Sequence, residues 1–102
     1  MSDLKNKAVL ITGASTGIGA AVARAMGRAG ARVAVHYRGS REEAEAVARD
    51  IEKAGGKAVV VQADVTDTAS VDRMVAEVQE AFGRIDMLVN NARGFVRRGP
   101  IV

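Results

Sequence analysis

The sequence predicts an α/β domain: four parallel strands in one sheet, ordered 3-2-1-4, with helices on both faces in a three-layer sandwich. Three observations predict it. Short apolar runs recur at residues 7–12, 32–36, 58–61 and 85–89, too continuous for strands with one wet face. Amphipathic stretches of helical period fill the intervals between them. Glycines close each helical stretch, at Gly30, at Gly55 and Gly56, and at Gly83. Parallel neighbours need crossover connections. Right-handed crossovers and the nucleotide-binding topology then give the strand order, with the first two helices on one face and the third on the other.

Each element has its own justification. Residues 7–12 form the first strand, apolar from Ala8 to Ile11 between Lys7 and Thr12. From Gly17 the apolar positions Ile18, Ala21, Val22, Ala25, Met26 and Ala29 fall at helical spacing, and Gly30 stops the helix. Arg32 to His36 is the second strand. Ser40 opens the second helix with Glu43 three residues on, the pattern of a capping box. Its stripe is Ala44, Val47, Ala48, Ile51 and Ala54. Ala58 to Val61 is the third strand. Thr66 or Asp67 caps a third helix with the stripe Val71, Met74, Val75, Val78 and Phe82. Ile85 to Val89 is the fourth strand. Residues 91–102 hold Gly94, Gly99, Pro100 and three arginines without a period, so a single domain over 1–102 has its ordered core at about 5–90.

Bulk properties narrow the function. With 102 residues the chain holds one core. No apolar run approaches membrane-spanning length, and MSDLKNK lacks the apolar core of a signal peptide. Cysteine is absent, which removes disulfides and thiolate metal sites and fits a cytoplasmic location. His36 is the only histidine and has no second histidine or cysteine for a metal site; it reads as a strand-end residue rather than a catalytic base. A net charge of +3 invites a nucleic-acid partner, but three aromatics (Tyr37, Phe82, Phe95) cannot build a stacking platform.

The chemistry concentrates at Gly13, Gly17 and Gly19, between the first strand and the first helix. A glycine-rich turn entering a helix N-terminus leaves backbone N–H groups and the positive end of the helix dipole for a phosphate. Glycines also merely punctuate turns, but their place inside a βαβ unit is the context that marks a dinucleotide-binding turn. Gly13 permits the sharp exit from the strand, Gly17 the approach of backbone to a pyrophosphate, and Gly19 close helix–strand packing. Ser15 and Thr16 add hydroxyls for phosphate or ribose; Ser15 serves equally well as a turn hydroxyl. The whole is a Rossmann-like arrangement.

Thr12-Gly13-Ala14-Ser15-Thr16-Gly17-Ile18-Gly19, Asp64-Val65 and Asn90-Asn91-Ala92 together resemble the motifs of the short-chain dehydrogenase/reductase family, in its order and spacing. Members like 3-oxoacyl-carrier-protein reductases and glucose dehydrogenases are the nearest in kind. The resemblance implies that Gly13 to Gly19 holds a pyrophosphate and that the Asp64 carboxylate and Val65 backbone take the adenine. It implies that Asn91 and Ala92 line the ribose side and that Asn90 ties neighbouring strands. Without it, Asp64 reads as a turn or helix-entry residue, and Asn90-Asn91 as an ordinary turn.

Cofactor choice follows from charge. An acid near the end of the second strand holds both ribose hydroxyls and repels a 2′-phosphate. Here His36-Tyr37-Arg38-Gly39-Ser40-Arg41 has no acid before Glu42. Arg38, with Ser40 and Arg41 assisting, suits a 2′-phosphate, so NADP(H) is favoured over NAD(H); the alternative is a solvated basic loop.

Two features depart from the family. Its Ser, Tyr and Lys catalytic groups follow the fourth strand, whereas this sequence extends about a dozen residues past it and its only tyrosine, Tyr37, lies on the wrong loop. The chain by itself is therefore expected to be a truncated, catalytically incomplete domain without significant dehydrogenase activity. Arg93 stands where the family pattern has glycine, as a substitution or as a one-residue insertion before Gly94, and either bears on the nicotinamide side. An apolar fourth strand with an open edge further predicts a homo-oligomer joined there. Arg93, Arg97 and Arg98 read as solvated charges. Two other readings stay open: a structural or self-assembly Rossmann module without cofactor binding, and one half of a split enzyme.

Overall fold

A computed structural model of the chain describes residues 4–92. The elements follow the order β1 (Ala8–Thr12), α1 (Gly17–Arg28), β2 (Arg32–Tyr37), α2 (Arg41–Lys53), β3 (Lys57–Gln62), α3 (Thr68–Phe82) and β4 (Met87–Asn90). The four strands form one sheet in the order β3-β2-β1-β4, all pairs parallel, as the alternation of strands and helices predicts. In register, Ala8 faces Arg32, Thr12 faces Asn90, and Tyr37 faces Gln62.

β1 lies in the interior of the sheet, and all five of its residues are buried. Its alternating side chains feed two cores. Val9 and Ile11, with Val33 and Val35, meet Ala20 and Ala23 of α1 and Val47 and Ile51 of α2. Leu10, with Ala34 and Val61, meets Val71, Met74 and Val78 of α3. Burying a side chain such as Leu10 or Ile11 contributes roughly 1.5–3 kcal/mol. The helices therefore sit on the faces the topology assigns them, α1 and α2 together and α3 opposite.

Polar contacts close the edge of the sheet away from the glycine turn. The Arg32 guanidinium donates to the Phe82 carbonyl at 2.7 Å and lies 5.3 Å over the Phe82 ring, a cation at the C-terminus of α3. Asp86 Oδ2 accepts from the Ala8 N–H at 2.8 Å, and the Asp86 N–H donates to the Ala8 carbonyl at 2.8 Å.

Two sequence expectations need correcting. β4 begins at Met87, not Ile85: Ile85 turns into the α3-side core and Asp86 caps Ala8, so regular pairing starts at Val9 with Met87. The Ser40–Glu43 capping box does not form. Ser40 is the N-cap of α2, but at ψ 67° it leaves the extended conformation in which a cap hydroxyl reaches back, and it makes no side-chain cap bond. Of the two proposed caps for α3, Asp67 takes the position and accepts from the Ala69 N–H at 3.0 Å.

Candidate functional site

The loops that carry the predicted site residues all leave the carboxyl ends of the strands, on one edge of the sheet, as in open parallel sheets generally. β1 exits into Gly13, whose φ of 64° admits glycine far more readily than a residue with a Cβ. Its carbonyl accepts from Asn91 Nδ2 at 3.1 Å. Gly19, in the first turn of α1, packs so closely that a Cβ there would overlap the Gly13 carbonyl oxygen and come within 2.7 Å of Asn91 Nδ2. Between them Thr16, Gly17 and Ile18 are exposed and Ser15 is half-buried; Ile18 is 76% exposed, an unusual place for a large apolar side chain. Thr16 is the N-cap of α1 and makes no side-chain cap bond.

The loop after β4 is bound to this turn through Thr12. Its hydroxyl oxygen accepts from the N–H groups of Asn91 at 3.0 Å and Ala92 at 3.1 Å, and can donate to Asn90 Oδ1 at 3.2 Å. Thr12 is fully buried, while Asn90 and Asn91 are exposed, so the bonds lie at the margin of the core. Gly13, Gly19, Asn91 and Ala92 thus form one cluster, and Asn90 links β4 to β1 as the resemblance implied.

A second cluster joins the loops after β2 and β3. Arg38 is exposed, and its Nη2 lies 3.9 Å from Asp64 Oδ2. Asp64 Oδ1 accepts from the Thr66 hydroxyl at 2.6 Å and the Thr66 N–H at 3.0 Å. These bonds, with help from Arg38, hold the Asp64 carboxyl below the usual carboxylate range. The turn role read for Asp64 is therefore real, and it still leaves one oxygen toward Arg38. The Asp64 N–H donates to the buried Ser70 Oγ at 2.9 Å, and Val65 is buried against the α3-side core. Gln62 Nε2 holds the Arg38 carbonyl at 3.1 Å. Arg41 is engaged elsewhere, with Glu45 at 3.0 Å and the Tyr37 hydroxyl at 3.2 Å, so Arg38 is the more available of the two cations. Tyr37 itself is buried at the end of β2.

One residue stands between the clusters. His36, 2% exposed, contacts both the Gly13 turn and the Ala63 carbonyl just before Asp64. Thr12, His36 and Ser70 are the polar groups that sequence reasoning left out of the site. The available signal was a polar residue at the carboxyl end of an otherwise apolar strand, for Thr12 and His36.

Residues 7–101 match the family model for short chain dehydrogenases. The chain belongs to that family. Its short-chain dehydrogenase relatives include an uncharacterized oxidoreductase of Methylorubrum extorquens, 48% identical over 90% of the chain. The 3-oxoacyl-[acyl-carrier-protein] reductase FabG of Staphylococcus aureus is 46% identical over 84%. These matches cover 37% and 35% of the two relatives, so the chain spans about a third of their length. Among solved structures, a dehydrogenase from Burkholderia cenocepacia with bound NADP is 37% identical with a TM-score of 0.82, over 85% of this chain and 34% of that one. A dehydrogenase/reductase from Sinorhizobium meliloti is 44% identical with a TM-score of 0.85, over 87% of this chain and 35% of that one.

Among the described residues there is no group of three or more His, Cys, Asp or Glu able to hold a metal ion. No described helix is long and apolar enough to cross a membrane. Arg93, Arg97 and Arg98 lie outside the described residues.

Proposed function

We propose that the chain is the NADP(H)-binding part of a short-chain oxidoreductase. The observation that carries this reading is the exposed Arg38 guanidinium beside Asp64, on a basic loop without a carboxylate before Glu42. A 2′-phosphate there gains a charge-assisted bond from Arg38, and β2 ends without an acid of its own; the Asp64 carboxylate, 3.9 Å from Arg38, is the negative charge it would share the guanidinium with. The short-chain dehydrogenase of similar structure that was solved with bound NADP supports the same choice.

The remaining residues fit the cofactor by chemistry. The close contact of Gly19 with the Gly13 carbonyl lets backbone, not side chain, line the cradle, and the first-turn amides of α1 lack a capping side chain. Gly13, Ser15, Thr16, Gly17, Ile18 and Gly19 would hold the pyrophosphate. Asp64 and Val65 would take the adenine, and Asn91 and Ala92 the ribose side. When bound, the cofactor supplies a hydride; these residues bind and orient it. The family's proton donor has no counterpart among these residues, since Tyr37 is buried and accepts from Arg41. The chain alone is therefore expected to bind without reducing a carbonyl. The test is the affinity for NADPH and NADH with and without Arg38→Ala, the variant weakening NADPH selectively by about 1–3 kcal/mol.

A homo-oligomer through β4 is the second part of the proposal. Among the described strands β4 pairs only with β1, and Leu88 and Val89 are partly exposed. A second copy of the chain pairing there would satisfy that edge. A cysteine-free chain of this kind suits a cytoplasmic setting.

A further inference from the structure

We propose that His36 is a positioning residue for the cofactor site, fastening the Gly13 turn to the loop that carries Asp64 and Val65, and that it does so only as the neutral ring protonated on Nε2. This inference rests on the NADP(H) reading above.

The partners dictate the tautomer. The Gly13 N–H lies 2.8 Å from His36 Nδ1, and a peptide N–H can only donate, so Nδ1 is the bare acceptor. Nε2 lies 2.9 Å from the Ala63 carbonyl, which can only accept, so Nε2 carries the proton. One ring thus spans from the exit of β1 to the exit of β3 across the end of β2. The backbone runs the same way: the Ala14 N–H donates to the His36 carbonyl at 3.0 Å, and the Ala63 N–H to the Tyr37 carbonyl at 3.2 Å. Loss of the clasp would leave these two backbone bonds alone to hold the pyrophosphate side and the adenine side in place.

Protonation defeats the clasp. A proton on Nδ1 would set two donors against each other across 2.8 Å. The titratable and charged groups on the surrounding elements are Arg32 and Tyr37 on β2 itself, Arg38 after it, Lys57 on β3 and Asp64 after it, and Asp67, Asp72, Arg73, Glu77 and Glu80 on α3 or at its cap; β1 has none. Burial pushes the imidazole below its ordinary value, with the Ala63 carbonyl opposing. The neutral form is thus the native one. Stability from this group is complete above the ordinary histidine range and falls as pH drops through the lowered native value.

The test titrates NADP+ into the full chain by calorimetry between pH 5 and 8, with the wild type, His36→Asn and His36→Gln. The Asn amide oxygen can sit where Nδ1 sits and accept from Gly13; the Gln amide can reach Ala63 but presents no acceptor at the Nδ1 position. The expectation is that at pH 8 both variants bind more weakly than wild type, since each keeps only one end of the clasp, His36→Asn by about threefold and His36→Gln on the order of tenfold. The cofactor's 2′-phosphate titrates near pH 6 in every variant. The informative quantity is therefore the wild-type to His36→Asn affinity ratio, which should fall toward acid. Nitrogen NMR of the single imidazole should show the Nε2–H form, with the Gly13 amide shifting as the ring titrates. A ratio independent of pH, His36→Gln binding like wild type, or an Nδ1–H ring would overturn the inference. Absence of NADP+ binding by the wild type at millimolar concentration would overturn the cofactor reading and this role with it. The ring tautomer and Gly13 shift would still report separately whether the clasp exists.

Discussion

Thr12 ends a strand in which every residue is buried, and its hydroxyl holds two backbone amides of the loop after β4. Replacing it with valine keeps the shape but leaves the Asn91 and Ala92 N–H groups without their acceptor. Thr12→Val is expected to lower stability by about 1–3 kcal/mol, and Thr12→Ser by less, because serine keeps the acceptor oxygen. Urea unfolding of the two variants checks this; a loss for Thr12→Ser as large as that for Thr12→Val would contradict it. The same scale shows what sequence can and cannot disclose. The glycine spacing was readable because Gly13 and Gly19 answer local demands, a positive φ and a close approach. His36 was placed correctly at a strand end, but its partners Gly13 and Ala63 lie 23 and 27 residues away in sequence. They become neighbours only when β1 and β3 flank β2.

At the scale of elements, the strand order and helix faces were legible because two periodicities, apolar runs and helical stripes, alternate with glycine stops. The start of β4 was not legible, since Ile85 is as apolar as the strand it precedes and only its burial against α3 separates them. The capping box failed for a related reason. Residue types at Ser40 and Glu43 fit the motif, but the backbone angle at Ser40 decides whether the bond forms. Asp86 gives this scale its prediction. The Ala8 N–H foremost, and then Arg84, holds the Asp86 carboxyl below the usual carboxylate range. A lowered native value means the ionised group stabilises the fold above the ordinary carboxylate range, and that contribution is lost as pH falls through the native value. Asp86→Asn retains an acceptor for Ala8 but no charge, so its stability should fall less steeply with acid than that of wild type. Urea midpoints between pH 3 and 6 measure the difference; parallel curves would remove Asp86 from the acid response.

For the whole molecule, the sheet and its two cores bring the site loops to one end of the strands, and among the described strands β4 pairs on one side only, with β1. Self-association through β4 predicts a mass above that of one chain in light scattering at high micromolar concentration. Leu88→Lys should shift it toward monomer by placing a charge on the pairing strand. A strictly monomeric wild type contradicts it.

The central claim is that the site reads a 2′-phosphate through Arg38, and the direct measurement is a matched titration of NADPH and NADH into wild type and Arg38→Ala. Wild type is expected to bind NADPH more tightly than NADH, and Arg38→Ala to lose about 1–3 kcal/mol for NADPH with little change for NADH. Equal weakening of both cofactors by Arg38→Ala, or no binding of either at millimolar concentration, would contradict it.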